Sequence, residues 1–149
     1  MTPIPRQDLV YQNAHFTAES AGDCFIPGYL IMRVKDPVDS LTGMSRSAIE
    51  SLGPTLSHLV HAIESVIRPE RIYYARFGEE VPTIHFHLFP RTAALAAEFL
   101  AAEASGGKLN GLVLMNWARL RYSPAAATAQ ERTRVTEAAA AIRKRLASV

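Results

Sequence analysis

Cysteine, tryptophan and long apolar runs are scarce in this chain of 149 residues. Cys24 is the only cysteine, and a single thiol can form neither an internal disulfide nor a cysteine-based zinc cluster. No apolar run approaches the roughly 20 residues that a membrane helix needs, and the first residues contain no apolar stretch of signal-peptide length. We therefore expect a cytoplasmic protein that has no membrane partner and folds without disulfides.

The charges do not indicate a macromolecular partner. Sixteen lysines and arginines face fourteen aspartates and glutamates, which leaves a formal net charge of +2. An excess this small does not favour binding to nucleic acid or to a membrane surface. The chain is 48% hydrophobic and 20% charged, a balance typical of one globular domain, here residues 1–149, that buries its core without a metal.

The first half of the sequence predicts short strands followed by one long helix. Residues 9–18 favour two short strands or a strand and a turn, and a loop over 22–28 leads into a strand over 29–34. Over 45–67 apolar residues recur at spacings of three and four, which predicts an amphipathic helix that begins at Ser45 and ends before Pro69. Because Pro54 lies inside this pattern, the helix either starts afresh there or kinks.

The second half predicts an antiparallel pair of strands followed by helices. Residues 71–77 and 83–89 are rich in strand formers and are separated by a turn at Gly78. Residues 92–104 and 125–147 favour helix, whereas 111–117 fit either a strand or the start of a helix. The predicted fold class is therefore α+β, with an antiparallel sheet, a long helix and a helical C-terminal extension.

Two of the five histidines lie in the second strand of this pair. Side chains alternate between the faces of a strand, so Thr83, His85 and His87 share one face and their apolar neighbours share the other. Imidazole titrates near neutral pH, so one ring can act as a nucleophile while its neighbour donates a hydrogen bond or a proton. Two alternatives remain open: a histidine pair on an exposed sheet face, and a metal site in which both rings are ligands.

The run Thr83-Ile-His-Phe-His-Leu-Phe-Pro-Arg91 resembles the signature strand of the histidine triad superfamily, in which three histidines alternate with apolar residues. Its Pro-Arg ending is most similar to the fragile histidine triad branch of diadenosine polyphosphate hydrolases. The predicted order of strands and helix agrees with that family over about residues 8–92, and residues 93–149 form an extension beyond it.

This resemblance implies an α+β fold, a homodimer joined along the long helix and a neighbouring strand, and a nucleotide-type small molecule as substrate. It implies that His85 attacks a phosphate and forms a nucleotidyl-histidine intermediate, and that His87 contacts the phosphate and the leaving group. Arg91 matches the arginine after the proline. No cofactor and no resident metal are implied.

The sequence departs from the family pattern at several supporting positions. Thr83 stands in place of the first histidine, and Tyr29 stands where a histidine follows the Pro-Gly turn, so its phenol is a candidate hydrogen-bond donor to phosphate. Ala21 falls on the position of a ribose-binding carboxylate or amide, with Asp23 as the nearest substitute. Glu79 and its neighbour Glu80 place negative charge beside the histidines, which opposes the binding of an anion.

Further residues have alternative interpretations. Asn116, Trp117 and Arg119 could close over the site from the C-terminal extension, but Trp117 is more typical of a core residue. His58 and His61 are neighbours on the predicted long helix and are expected in solvent or at a subunit interface. The leading hypothesis is a hydrolase with His85 as nucleophile; the alternative is a binding protein of the same fold that has lost efficient catalysis.

Overall fold

The structure is a computed structural model that describes residues 8–103 and 107–148. Its centre is a five-stranded antiparallel sheet with the strand order β1-β2-β3-β5-β4. The strands are β1 (Leu9–Gln12), β2 (Phe16–Ser20), β3 (Leu30–Val34), β4 (Arg71–Ala75) and β5 (His85–Arg91). The histidine strand β5 therefore lies between β3 and β4, and both of its edges are hydrogen-bonded within the sheet.

Four α-helices surround this sheet in the described part of the chain. They are α1 (Arg46–Ile67), α2 (Ala93–Ala102), α3 (Gly111–Arg121) and α4 (Ala129–Ala147). Each begins after a residue whose side chain accepts a hydrogen bond from a backbone N–H of the first turn, namely Ser45, Thr92, Asn110 and Thr128. Such caps satisfy donors that a helix start otherwise leaves unpaired, and so they fix where each helix begins.

The sheet buries both of its faces, but against different helices. The first face carries Leu30, Met32 and Leu88, which pack with Leu59 of α1 and Ile142 of α4 in one apolar core. The second core contains the buried side chains Tyr29, Ile31, Phe89, Phe99 and Leu114, so it joins the other face to α2 and α3. The α3 helix covers only part of this second face, and the part over the histidines stays open.

The structure confirms the predicted α+β class and most of the predicted elements. The long helix is one continuous element with Pro54 inside it, so it does not start afresh there. It ends at Ile67 because Arg68 adopts a left-handed conformation before Pro69. The histidine strand begins and ends two residues later than predicted, because Thr83 precedes the ladder and Pro90 lies within it.

The C-terminal extension is entirely helical where the structure describes it. Residues 111–117, which fitted either a strand or a helix, belong to α3. The last helix begins at Ala129 rather than near residue 125, because Thr128 and Glu131 form a reciprocal capping box there. The helix predicted over 92–104 corresponds to α2, and its predicted end, residue 104, lies outside the described residues. No helix in the described ranges is both long and apolar enough to span a membrane.

The turn before β3 generates a prediction on stability. Gly28 has φ +81°, and a Cβ at this position would lie 2.5 Å from Ile67 Cγ1. We expect Gly28→Ala to lower the free energy of unfolding by about 1–3 kcal/mol through backbone strain and this clash. Gly53→Ala, in the interior of α1 with open space around it, should instead stabilise by about 0.5–1 kcal/mol. Urea unfolding of both variants tests this, and equal shifts in midpoint would contradict it.

Candidate active site

A cavity of about 770 Å³ lies on the second face of the sheet, directly over the two histidines. Its floor is formed by Ile31 and Arg33 of β3 with His85 and His87 of β5, which are cross-strand partners in the ladder. The walls come from three other segments. They include Asp8, Glu19, Ser20 and Asp23 on one side, Phe77, Glu79, Glu80 and Val81 on another, and Leu112, Asn116 and Arg119 of α3.

His85 is held in one orientation by the backbone. Its ring is only 8% exposed, and Nδ1 lies 2.8 Å from the carbonyl oxygen of Thr83. A carbonyl can only accept a hydrogen bond, so Nδ1 carries the proton and donates it. The lone pair of the neutral ring is then on Nε2, which makes no hydrogen bond within the described residues. His85 thus offers a nucleophilic nitrogen to the cavity that its side chain lines.

His87 has the opposite arrangement. Its Nδ1 lies 2.6 Å from the hydroxyl of Tyr29, a residue that is 1% exposed. Burial raises the pKa of the Tyr29 phenol well above its ordinary value, so the phenol keeps its proton and donates it to Nδ1. Burial first, and then the charges of His85 and Arg119, lower the pKa of His87 to about 4. The neutral ring therefore carries its proton on Nε2.

The two rings form a complementary pair. Their centroids are 5.3 Å apart, close enough for both to reach one phosphate group. His85 can supply a lone pair to phosphorus, while His87 can donate an N–H hydrogen bond to an oxygen of the same group. The different partners of the two Nδ1 atoms create this difference between otherwise identical side chains.

The ion pair between Asp23 and Arg119 links the N-terminal loop to the C-terminal extension. Arg119 Nη2 lies 2.8 Å from Asp23 Oδ2, and both residues line the cavity. Asn116 stands one turn before Arg119 on the same helix and also lines the cavity. The carboxylate predicted as a ribose contact is therefore at the cavity, but it already has a cationic partner.

A second ion pair lies on the floor of the cavity. Arg33 Nε and Glu19 Oε1 are 2.6 Å apart, and the carboxylate side chain is 11% exposed. Arg33 lies on β3, which pairs with the histidine strand, and Glu19 lies on β2, which pairs with the other edge of β3. Sequence analysis missed both. The pleat of β3 places Arg33 on the same face as Ile31, but only the register of the sheet shows that this face is the one with the histidines.

The connection between β4 and β5 forms the third wall. Phe77 is 57% exposed, and its ring centroid is 6.4 Å from that of His87. Glu79 and Glu80 follow on the same loop and line the cavity. Arg76 anchors the loop by donating to the carbonyl oxygen of Pro82 at 2.7 Å and to that of Asp39 at 3.2 Å.

Three of the predicted substrate-binding residues do not line the cavity. Thr83 contributes its carbonyl group to His85, and Tyr29 donates to His87 rather than standing free for a phosphate. Arg91 is 8% exposed and lies 2.5 Å from Glu70 Oε1, at the far end of β5. Substrate binding by Arg91 stays a prediction that this placement does not favour.

The remaining candidates from the sequence do not line the cavity. Trp117 packs edge-on against Phe99 in the second core, with ring centroids 5.6 Å apart. His58 on α1 packs edge-on against Tyr11 at 5.2 Å, whereas His61 is exposed. Burial, and then the nearby Asp23 carboxylate, raise the pKa of the Cys24 thiol to about 12. A thiol in this state is a poor nucleophile.

Comparison with solved structures identifies the fold. The chain is similar to a zinc-bound histidine triad family protein from Mycobacterium smegmatis, with a TM-score of 0.59, 16% identity, and coverage of 97% of this chain and 86% of that one. A histidine triad nucleotide-binding protein from Sulfolobus tokodaii, described as hypothetical, gives a TM-score of 0.62 at 11% identity, covering 95% and 84% of the two chains.

A third similar structure is a Hit-like protein from Bartonella henselae that is involved in cell-cycle regulation and was crystallised with an unknown ligand. It matches with a TM-score of 0.55 and 15% identity, over 92% of this chain and 84% of that one. No family model and no curated protein matches the sequence. The five-stranded antiparallel sheet and its helices are thus those of the histidine triad fold.

The low pKa of His87 predicts how stability changes with pH. Above pH 6.5 the ring is neutral in both states, but between pH 6.5 and about 4 the unfolded chain binds a proton that the folded chain does not. The free energy of unfolding must therefore fall as the pH falls through this window. We expect a smaller fall in His87→Gln, measured by urea unfolding at pH 7, 5.5 and 4. His61→Gln, on an exposed position, is the control; parallel curves for wild type and His87→Gln would refute the assignment.

Proposed function

We propose that this chain is a hydrolase or nucleotidyl transferase of the histidine triad type. It cleaves a phosphoanhydride or phosphoramidate bond of a nucleotide-type small molecule, with His85 as nucleophile and His87 as its partner, and uses no cofactor. One observation carries the proposal: two histidine rings 5.3 Å apart face one cavity, and their Nδ1 atoms have opposite roles, since that of His85 donates a hydrogen bond and that of His87 accepts one. The cytoplasm is the compartment that we propose for it.

The reaction follows from the hydrogen bonds of the two rings. The Nε2 lone pair of His85 attacks phosphorus, and the bond from phosphorus to the leaving group breaks. The leaving group departs with the bonding electron pair and takes a proton from water, because neutral His87 is a weak acid. The Thr83 carbonyl stabilises the positive charge that develops on the substituted His85 ring by accepting from Nδ1. A second water molecule then attacks phosphorus, and the bond from phosphorus to Nε2 breaks. The proton that this water loses neutralises the hydroxide left by the first step, so the nucleotide is released and His85 returns to its neutral form.

His87 acts in this scheme through hydrogen bonding. Its Nε2–H can donate to a phosphate oxygen whose negative charge grows in the transition state. The hydrogen bond from Tyr29 favours this tautomer, and the buried phenol fixes the plane of the ring. Tyr29 is thus a positioning residue in the proposal, and Asp23 with Arg119 stands where the nucleoside half would enter.

A binding protein without efficient catalysis is the second candidate. Two observations favour it: the position of the first triad histidine is Thr83, and both arginines that line the cavity are already paired with carboxylates. A zinc site built on His85 and His87 is the third candidate. No group of three potential metal ligands occurs within the described ranges, and analysis of metals in the purified protein tests this candidate.

The nucleophile is tested by turnover and by trapping. We expect wild type to hydrolyse a fluorogenic adenosine phosphoramidate or a diadenosine polyphosphate, and His85→Ala to be slower by at least about a hundredfold, since it removes the attacking atom. Acid-quenched wild type should carry the added mass of one nucleotidyl group, which His85→Ala should lack. His61→Ala serves as the control. Wild-type turnover no greater than that of His85→Ala would leave the binding protein as the better account.

We also propose that the chain forms a homodimer through β4 and α1. Among the described residues, β4 pairs with β5 alone, which leaves its other edge open, and Tyr74 of β4 is 60% exposed. An open edge is a template for antiparallel pairing with a second copy.

Light scattering after size exclusion tests this assembly. We expect a wild-type mass near twice 16.4 kDa. Tyr74→Asp should shift it toward the monomer, because a twofold axis would bring two like charges close together. A wild-type monomer at all concentrations tested would contradict the proposal.

A further inference from the structure

The cavity around the histidines is strongly acidic. Five carboxylates line it, from Asp8, Glu19, Asp23, Glu79 and Glu80, against the two guanidinium groups of Arg33 and Arg119. The described side chains that line it therefore carry a balance of three negative charges. This charge contrasts with the formal net charge of +2 of the whole chain.

The two arginines do not offer free positive charge to a ligand. Arg33 is paired with Glu19 at 2.6 Å and Arg119 with Asp23 at 2.8 Å. A substrate with several phosphates in the cavity would have to break these pairs or remain close to uncompensated carboxylates. The charge therefore disfavours a polyphosphate and favours a substrate with one negative charge.

Two of the uncompensated carboxylates lie together on the β4–β5 loop, which leads into the histidine strand. Glu79 and Glu80 make no hydrogen bond or ion pair within the described residues, and both are exposed at the cavity. Phe77 and Val81 on the same loop present apolar surface that is 57% and 45% exposed. Arg76, the nearest cation on this loop, binds backbone carbonyl groups and does not line the cavity.

This wall lies across the histidines from Asp23 and Arg119. The β4–β5 loop leads into the start of β5 at His85, whereas the loop that carries Asp23 leads into β3 at Leu30, which pairs with Leu88 in the second half of β5. The ring of His87 is 6.4 Å from that of Phe77. His85, whose Nε2 has no partner within the described residues, is 8% exposed and faces the same cavity. A substrate with phosphorus at His85 would thus extend its two halves toward two chemically different walls.

From this arrangement we infer that the leaving group is an organic cation, an apolar chain or ring that ends in an ammonium group. The inference rests on the proposed function and narrows its substrate class. Phe77 and Val81 contact the apolar part, and Glu79 and Glu80 attract the charge, which an aromatic face can also stabilise. The substrate is a nucleotide joined through a phosphoramidate bond to such an amine, with a single negative charge on phosphorus.

Three matched substrates test this inference. They are adenosine 5′-phosphoramidates of four-carbon amines whose far end is an ammonium, a hydroxyl or a carboxylate group. Turnover by wild type gives kcat/KM for each, and titration calorimetry with His85→Gln, which lacks the nucleophile, gives Kd without cleavage. At low salt we expect the ammonium compound to have a kcat/KM about tenfold higher, and a Kd about tenfold lower, than the carboxylate compound. The ratio should shrink in 0.5 M salt, because exposed charges are screened.

Variants of the loop assign the preference to its carboxylates. The double change Glu79→Gln with Glu80→Gln is made in wild type for turnover and in His85→Gln for binding. It should bring the ratio between the ammonium and carboxylate compounds close to one. Replacement of both by lysine should invert it. The matched control is Glu64→Gln with Glu137→Gln, which removes the same charge from exposed positions on α1 and α4 and should leave the ratio as in wild type.

The two measurements separate this inference from the proposed function. Turnover of all three compounds without a charge preference overturns the organic cation and leaves the hydrolase standing. A preference in binding without any turnover supports the cation and overturns the hydrolase. Equal binding of the three compounds, or no binding of any of them, overturns the inference whatever the turnover, and so does a preference that the Glu64/Glu137 control also abolishes.

Discussion

The hydrogen bond from the Tyr29 phenol to His87 is the contact on which the rest of the site depends. It crosses from the start of β3 to the middle of β5 and lies almost wholly out of solvent. A buried phenol without a hydrogen-bond partner would lower the free energy of unfolding by about 1–3 kcal/mol. Burial therefore favours the hydrogen bond between Tyr29 and His87, and the same burial lowers the pKa of His87. The packing of Tyr29 in the second core therefore also fixes the tautomer and orientation of the His87 ring.

This contact also bears on the two positions at which the sequence departs from the histidine triad motif. Thr83 lacks an imidazole, but the contact that His85 uses is the backbone carbonyl of residue 83, which any residue supplies. Tyr29 lacks an imidazole as well, yet its hydroxyl defines the tautomer of His87. Both rings thus keep the complementary hydrogen bonds on which the proposed reaction relies. The cavity around the two rings is acidic, and within the described part of the chain Glu79 and Glu80 are among its unpaired carboxylates.

Local patterns in the sequence predicted most of the helices and strands, and they predicted that both histidines lie on one face of their strand. The pleat alone places His85 and His87 on one face, because alternation is a property of each strand by itself. The partners of these rings were harder to predict. Tyr29 is 58 positions from His87, and Asp23 is 96 positions from Arg119. Contacts at such separations depend on strand register and on how α3 docks, and neither leaves a periodic signal in a single sequence.

The ring protonation of the two histidines tests the account most directly. Nitrogen NMR of protein labelled in histidine, assigned with His85→Gln and His87→Gln, reports which ring nitrogen carries the proton at pH 7. We expect a proton on Nδ1 of His85 and on Nε2 of His87, and a change in the His87 signal in Tyr29→Phe. A proton on Nδ1 of His87, or on Nε2 of His85, would contradict it, since the pair would then lack either its donor or its nucleophile.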